Sequence, residues 1–283
     1  MSNLPDRRIN AYRPDLAEEA LRDQIQAPRY TAGAPAQVIR PLVPLRPRPD
    51  LSAGIDTQLL RGETVRVLDT DDTWCWIKSD EDGYVGYLPE DALRLGEFAN
   101  THTVSALRTF VYEQADLKSP AMAALSMGSH LLVTGEAETR GTRYFLLANG
   151  HAVIANHCTT IGSFQETDYV SVAGRFVETP YLWGGRSAFG IDCSGLVQLS
   201  MMMTGRKAPR DSDMQAGLGA QIERHNLRRG DLVFWKGHVA IMEDEETIVH
   251  ANGHSMTVAR ESLEGAIERT RWLYSEPTGY RRP

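Results

Sequence analysis

One cysteine, Cys193, stands where a glycine-rich stretch meets an apolar run with helical spacing, within the sequence Tyr-Leu-Trp-Gly-Gly-Arg-Ser-Ala-Phe-Gly-Ile-Asp-Cys-Ser-Gly-Leu-Val-Gln of residues 181–198. A cysteine in the first turn of a helix meets the positive end of the helix dipole and unpaired backbone N–H groups. Both favour the thiolate, which is the nucleophilic form. Taken alone, Cys193 is open to two interpretations: an activated nucleophile, or a small buried core residue.

Two of the eight histidines, His238 and His250, fall on the two strands of a predicted β-hairpin. A turn over residues 243–245 would pair them directly on one face of the hairpin, with Cβ atoms about 5 Å apart. A nucleophilic cysteine needs a base and a group that orients this base. The pattern therefore predicts Cys193 as nucleophile, His238 as general base and His250 as its orienting partner. Two strand histidines with only local hydrogen bonds are the alternative.

The composition and motifs of the chain indicate which partners, cofactors and cellular location to expect. The net charge of −7 gives no general attraction to nucleic acid or to an anionic membrane, and neither is expected as a partner. The N-terminus has no apolar core of a signal peptide, no run reaches transmembrane length, and the three cysteines show no disulfide spacing. We therefore expect a reduced, cytoplasmic location. Neither His-Glu-x-x-His nor Cys-x-x-Cys occurs, so no metal and no cofactor is predicted.

The chain divides into four predicted parts. Residues 1–33 are expected to form a helical appendage, and residues 34–97 and 98–164 two small β-barrels, because short β-type runs and turns repeat after about 66 residues. Two unrelated β domains are the alternative. Residues 165–283 are predicted as an α+β domain. The β runs lie at 64–68, 74–78, 84–88, 131–134, 144–147 and 151–155; the C-terminal part has a helix at 168–176, strands at 232–235, 237–242 and 247–251, a helix near 262–268 and a last strand near 272–274.

Six motifs follow one another in the C-terminal part: Tyr-Leu-Trp-Gly-Gly from residue 181, Asp-Cys-Ser-Gly-Leu-Val from 192, Pro-Arg-Asp-Ser from 209, Gly-Asp-Leu-Val-Phe-Trp from 230, Gly-His-Val-Ala-Ile from 237 and Ile-Val-His-Ala-Asn-Gly from 248. In this order they resemble the catalytic domain of the NlpC-type cell-wall cysteine peptidases, over roughly residues 166–283. The resemblance implies a circularly permuted papain-like fold. The upstream repeat resembles two bacterial SH3-like domains, and the whole order is similar to bacterial γ-D-glutamyl-diamino acid endopeptidases that act on murein peptides.

The resemblance implies a Cys193–His238–His250 triad with a thiolate–imidazolium pair, and five residues that line the substrate groove: Tyr181, Asp192, Ser194, Asp211 and Ser212. In relatives with fused SH3-like domains a tyrosine of the first barrel closes the groove, which points to Tyr84, with Tyr87 as competitor. The implied partner is a murein-derived peptide with a free N-terminal L-Ala and diaminopimelate or lysine as the third residue, cleaved during cell-wall peptide recycling. An amidase or acyltransferase of the same superfamily, or a non-catalytic SH3-like binding module, is the alternative. The sequence does not indicate an oligomeric state.

Overall fold

The computed structural model describes residues 4–283, which fold into two compact units. The first unit comprises the chain up to Val104 together with Arg108–Ile161, and the second comprises Ser105–Leu107 and Gly162–Pro283. The first three residues of the predicted appendage lie outside the described residues. Within residues 4–283, no helix is both long and apolar enough to cross a membrane.

The N-terminal segment differs from the predicted helical appendage. Its regular elements are two short parallel strands, β1 (Leu16–Glu18) and β2 (Arg29–Thr31), with a 3-10 turn at Glu19–Leu21. Ala11 is buried in a small apolar cluster that includes Trp76 of the following β module. The prediction of a helix is wrong because burial against that module and pairing between the two strands outweigh a weak local helical pattern.

The first β module follows directly and contains the predicted runs at 64–68, 74–78 and 84–88. Its strands are β3 (Ala34–Val38), β4 (Leu42–Leu45), β5 (Thr57–Leu60), β6 (Thr64–Asp71), β7 (Trp74–Ser79), β8 (Val85–Pro89) and β9 (Leu93–Leu95). Five of them form an antiparallel sheet in the order β8-β7-β6-β3-β9, while β4 and β5 form a separate hairpin. Alternate residues such as Val65, Ile77 and Leu88 point into one apolar core.

The second β module has a similar order of elements, and a 3-10 turn precedes the last strand in both modules, at Glu90–Ala92 and at Ala155–His157. Its strands are β10 (His102–Val104), β11 (Arg108–Tyr112), β12 (Ala121–Ser126), β13 (His130–Leu131), β14 (Val133–Thr139), β15 (Thr142–Leu147), β16 (Ala152–Ile154) and β17 (Cys158–Thr160). They form a five-stranded sheet, β12-β11-β16-β15-β14, and a three-stranded one, β13-β10-β17. Two strands, β13 and β14, stand in place of β6 of the first module. Val104, Leu125, Leu147 and Val153 contribute to its own core. The sequence repeat therefore corresponds to a repeat of structural elements.

Gly62 lies where the two modules meet. Its φ is +84°, and a Cβ atom at this position would lie 2.2 Å from the carbonyl oxygen of His130. The His130 backbone N–H donates to the Arg61 carbonyl at 2.7 Å, and the Asn100 side chain donates to the Gly62 carbonyl at 2.8 Å. The backbones approach so closely that only glycine fits.

We expect Gly62→Ala to destabilise the first unit far more than Gly141→Ala. Gly141 also has a left-handed φ, +76°, but no atom lies within 4 Å of the position of its Cβ. The control therefore carries only the backbone strain of about 1–2 kcal/mol, whereas Gly62→Ala adds a clash with backbone. The midpoints of thermal and urea unfolding measure the difference, and equal shifts for the two variants would contradict it.

The second unit is an α+β domain with more strand segments than helices. Its elements are α1 (Tyr169–Gly174), β18 (Arg186–Ser187), β19 (Gly190–Ile191), α2 (Cys193–Met202), α3 (Ser212–Gln215), β20 (Ala220–Gln221), β21 (Leu232–Trp235), β22 (His238–Met242), β23 (Thr247–Asn252), β24 (Thr257–Ser262), α4 (Leu263–Tyr274) and β25 (Gly279–Arg282). Six strands form one antiparallel sheet in the order β20-β25-β21-β22-β23-β24. The predicted last strand at 272–274 is wrong: Ser262 caps α4, the helix continues through 274, and the last strand follows at Gly279–Arg282.

The two long helices of this unit pack against the sheet. α4 covers the face that carries Ala240, Met242 and Ile248, which share one core cluster with Leu263 and Ile267. α2 lies against β22 and β23. Because side chains alternate along a strand, the buried residues Val239, Ile241 and Val249 point to the side opposite Ala240. The sheet therefore has two buried faces, and α2 brings its first residue to the start of β22.

Candidate active site

Cys193 is the first residue of α2, and Asp192 is the N-cap of this helix. The Asp192 carboxylate accepts a hydrogen bond from the Gly195 backbone N–H at 2.7 Å, which satisfies one of the unpaired N–H groups of the first turn. A Cβ atom on Gly195 would lie 2.4 Å from the carbonyl oxygen of Gly185. The Asp-Cys-Ser-Gly sequence therefore caps the helix and lets the glycine-rich loop approach the nucleophile.

A buried ion pair fixes this arrangement. The Arg210 guanidinium donates to both oxygens of Asp192, at 3.0 and 2.7 Å, and the Arg210 side chain is only 1% exposed. Asp192 also accepts from the Gly184 backbone N–H at 2.9 Å, and Arg210 donates to the Ser194 hydroxyl at 2.9 Å. Asp192 and Ser194 therefore have clear structural functions, and their predicted contacts with substrate stay predictions.

Removing the guanidinium should destabilise the second unit strongly. We expect Arg210→Met to lower the free energy of unfolding by about 3–5 kcal/mol, because a buried carboxylate loses its counter-charge. The matched control is Arg224→Met, which breaks the exposed ion pair with Glu264 and should change stability by less than about 1 kcal/mol. Urea unfolding measures the free energy of unfolding of both variants. Equal decreases would show that the buried Asp192–Arg210 pair stabilises the protein no more than an exposed ion pair does.

The histidine hairpin has a different register from the predicted one. The turn spans the four residues 243–246, and Ile241 pairs with Val249. The direct pairing of His238 with His250 is therefore wrong by two residues. A shift of two residues keeps every side chain on its face, so the rings still meet: His238 Nε2 lies 2.9 Å from His250 Nδ1.

The chain of contacts continues beyond His250 to two residues that the sequence interpretation missed. His250 Nε2 lies 2.7 Å from a carboxylate oxygen of Glu261 on β24, and Arg269 on α4 donates to the same oxygen. β24 pairs with β23 so that His250 is opposite Ala259, and Glu261, two residues further, lies on the same face. The sequence Thr-Val-Ala-Arg-Glu-Ser has no clear alternation of apolar and polar residues, so this strand and the position of Glu261 could not be assigned from it.

Cys193 and His238 are joined through the packing of α2 on the sheet. The backbone N–H of Val239, the residue after His238, donates to the Cys193 sulfur. The ring of Trp235 lies against the His238 ring, with centroids 5.6 Å apart. Because His238 directs Nε2 to His250, Nδ1 is the ring nitrogen with which it can take the thiol proton.

Burial determines the charge state of this pair. It raises the pKa of the Cys193 thiol to about 12, with a further contribution from the Asp192 carboxylate. It lowers the pKa of His238 to about 3, and His250 and Arg269 add to this effect. A raised thiol pKa and a lowered imidazole pKa both favour the neutral forms. The burial of Cys193 and His238 therefore favours a neutral thiol and a neutral imidazole over the expected thiolate–imidazolium pair.

Alkylation of Cys193 by iodoacetamide tests this charge state. Since the thiolate is the reactive form, a pKa of about 12 predicts that the alkylation rate rises about tenfold for each pH unit between pH 7 and 9. Mass spectrometry of the Cys193 peptide separates this reaction from that of the buried Cys75 and Cys158. A rate that is constant from pH 6 to 8 would instead indicate a stable thiolate–imidazolium pair.

Three predicted groove residues lie on segments beside the nucleophile. Tyr181 is half-buried and forms a bridge with Ile191, two residues before Cys193. Asp211 and Ser212 are half-buried at the start of α3, where Asp211 makes no side-chain cap to the helix. The nearby Gln215 donates to the Ser194 carbonyl at 2.9 Å, which holds α3 against the start of α2.

Tyr84 belongs to the first unit, where its side chain is 5% exposed and forms part of the core of the first β module. Its competitor Tyr87 accepts a hydrogen bond from Arg13 at 3.2 Å and stacks against Trp76. Closure of the groove by either tyrosine stays a prediction. Within residues 4–283, no group of three histidine, cysteine, aspartate or glutamate side chains is arranged to hold a metal ion.

The fold and the Cys–His–His arrangement define a cysteine peptidase domain. In agreement, residues 178–275 match the NlpC/P60 family and residues 45–93 match the bacterial dipeptidyl-peptidase Sh3 domain. The predicted resemblance to NlpC-type cysteine peptidases preceded by an SH3-like domain is confirmed, and the protein is a cysteine peptidase.

Similar proteins support the same assignment. The chain is 29% identical to dipeptidyl-peptidase 6 of Lysinibacillus sphaericus over 238 residues, 77% of this chain and 87% of that protein. It is 27% identical to the γ-D-glutamyl-L-lysine dipeptidyl-peptidase of Bacillus cereus over 225 residues, 70% of this chain and 67% of that protein. The crystal structure of an NlpC/P60 family protein from Bacillus cereus shares the fold, with a TM-score of 0.73, 24% identity and coverage of 88% of this chain and 99% of that chain.

Proposed function

We propose that the protein hydrolyses the bond between γ-D-glutamate and the following diamino acid in murein peptides that carry a free N-terminal L-Ala. The observation that carries the proposal is the 2.9 Å contact between the rings of His238 and His250, together with the hydrogen bond to the Cys193 sulfur from the backbone N–H of Val239, the residue after His238, within the segment that matches the NlpC/P60 family. The name of the Bacillus cereus relative specifies a γ-D-glutamyl-L-lysine bond, which supports this substrate class.

The neutral pair indicates how the reaction begins. As the Cys193 sulfur forms its bond to the γ-carbonyl carbon, the thiol proton passes to Nδ1 of His238, so that no separate thiolate needs to form in the buried site. The backbone N–H of Cys193 and the hydroxyl of Tyr181 are proposed to stabilise the oxyanion.

Collapse of the tetrahedral intermediate breaks the C–N bond, and His238 gives its proton to the leaving amine of the diamino acid. Water then attacks the thioester while His238 takes a proton from it. The L-Ala-γ-D-Glu product leaves as the acid, and the proton returns to the Cys193 sulfur, so that the resting thiol is restored.

The remaining parts of the proposal concern substrate contacts and domains. Tyr181, Asp192, Ser194, Asp211 and Ser212 are proposed as groove residues, with Tyr84 as the contribution of the first barrel. The second β module is proposed as a second SH3-like barrel, since its element order is similar to that of the first, which gives domains at 1–33, 34–97, 98–164 and 165–283. A cytoplasmic location and a role in murein peptide recycling complete the proposal.

Incubation with L-Ala-γ-D-Glu-diaminopimelate tests the activity. We expect release of free diaminopimelate by the wild-type protein and none by Cys193→Ala, because the sulfur forms the acyl intermediate. The N-acetylated peptide should be cleaved much more slowly if the free amine is recognised. His250→Ala should lower kcat by at least tenfold, a far larger effect than its effect on stability, and an unchanged rate would remove His250 from the triad.

Each outcome bears on a different part of the proposal. If the wild-type protein releases no diaminopimelate, the proposed peptidase activity is wrong. If the N-acetylated peptide is cleaved as fast as the free one, the requirement for a free N-terminal amine is wrong. Transfer of the L-Ala-γ-D-Glu group to an added amine would instead favour an acyltransferase, and release of ammonia from an amidated peptide would favour an amidase. Binding of murein peptides without turnover would favour a non-catalytic module.

A further inference from the structure

Glu261 occupies a position that neither the Cys–His–His triad nor the matched motifs assign. It lies on β24, its side chain is 25% exposed, and one carboxylate oxygen receives both the His250 ring, at 2.7 Å, and the Arg269 guanidinium. The triad is thus extended to two further elements, β24 and α4. The hydrogen bonds that Glu261 makes with His250 and Arg269 determine which nitrogen atoms of the two histidine rings carry protons.

The first step concerns the charge of Glu261. Although burial opposes it, the hydrogen bonds from His250 and Arg269 lower the pKa of Glu261 below its usual value, and the positive charge of Arg269 adds to this effect. Glu261 is therefore ionised at neutral pH, and an ionised carboxylate only accepts hydrogen bonds. The neighbouring nitrogen of His250, Nε2, must consequently be the donor.

The two ring nitrogens that face each other share one proton. In its neutral form an imidazole has one N–H and one lone pair, so a neutral His250 with its proton on Nε2 has a lone pair on Nδ1. This lone pair faces Nε2 of His238 at 2.9 Å, which must then donate. The proton of His238 is thereby held on Nε2, and its lone pair is on Nδ1, the atom that takes the thiol proton from Cys193.

We propose that Glu261 is a positioning residue for the reaction of Cys193, acting through His250. Its carboxylate, held by Arg269, imposes one tautomer on both histidines and keeps the basic nitrogen of His238 directed to the thiol. With the opposite tautomer His238 would present an N–H to Cys193 and could not act as base. The proposal deepens the proposed function by adding a residue to the same site, and it also rests on the ring contacts themselves.

Nitrogen-15 NMR of histidine-labelled protein tests the tautomers directly, without any substrate. We expect both rings in the wild-type protein to carry the proton on Nε2 and a lone pair on Nδ1. In Glu261→Met, which cannot accept a hydrogen bond, we expect the two tautomers to mix. A proton on Nδ1 of His250 in the wild-type protein would overturn the proposal.

Kinetics test whether Glu261 acts through His250. Glu261→Met should lower kcat for the peptide by about 10- to 100-fold, the range found for partners that orient a metal-binding histidine, with KM changed less than about twofold. Glu261→Gln should retain most of the rate, because its amide oxygen can still accept from His250 and Arg269. In a His250→Ala background, Glu261→Met should have less than about a twofold effect.

The control variant is Glu268→Met, which removes an exposed carboxylate from the same helix as Arg269 and should leave the rates unchanged. An equal loss from Glu261→Met with and without His250 would show that Glu261 acts on the fold rather than on the ring. If the peptide is not hydrolysed at all but the NMR results are as expected, the proposed function fails while the positioning role of Glu261 stands.

Discussion

The ion pair between Asp192 and Arg210 holds together the segments that meet at the nucleophile. Asp192 caps α2, accepts from the glycine-rich loop at Gly184, and pairs with Arg210 from the segment that leads into α3. A desolvated pair of charges is favourable only when both partners are fully hydrogen-bonded, and this requirement restricts how the loop and helix can be arranged. The position of Cys193 is therefore a consequence of satisfying one buried carboxylate.

The sheet supplies the other half of the site by a different principle. His238, His250 and Glu261 come from three neighbouring strands, and each is presented on the same face because side chains alternate. Whether a residue occupies an odd or an even position along its strand determines the face on which its side chain lies. The register between strands determines which side chains on that face are neighbours. This division explains why the rings of His238 and His250 meet diagonally at 2.9 Å although they are not directly paired. Their contact depends on side-chain direction more than on backbone pairing.

The same distinction explains what could be predicted from the sequence. The two histidines could be assigned to one face of the sheet because an error of two residues in the register leaves every side chain on the same face. Glu261 could not, since its place beside His250 depends on the register of a third strand that has no motif of its own. The N-terminal strands escaped prediction because the burial of Ala11 beside Trp76 is a tertiary contact. The end of α4 was missed because its aromatic residues, Trp272 and Tyr274, resemble a strand when read without the Ser262 cap.

The electrostatics of the site connect these two halves. Burial makes a charged thiolate and a charged imidazolium unfavourable at rest, so the thiol proton must move as the new bond forms. The proposed concerted transfer requires the acceptor lone pair of His238 to face the sulfur before substrate arrives, because a neutral thiol and a neutral imidazole have no ionic attraction to align them. Fixed hydrogen-bond direction therefore replaces charge as the means of activation. An ionised carboxylate at the end of the histidine chain provides that direction, since it is the one partner in the chain that can only accept.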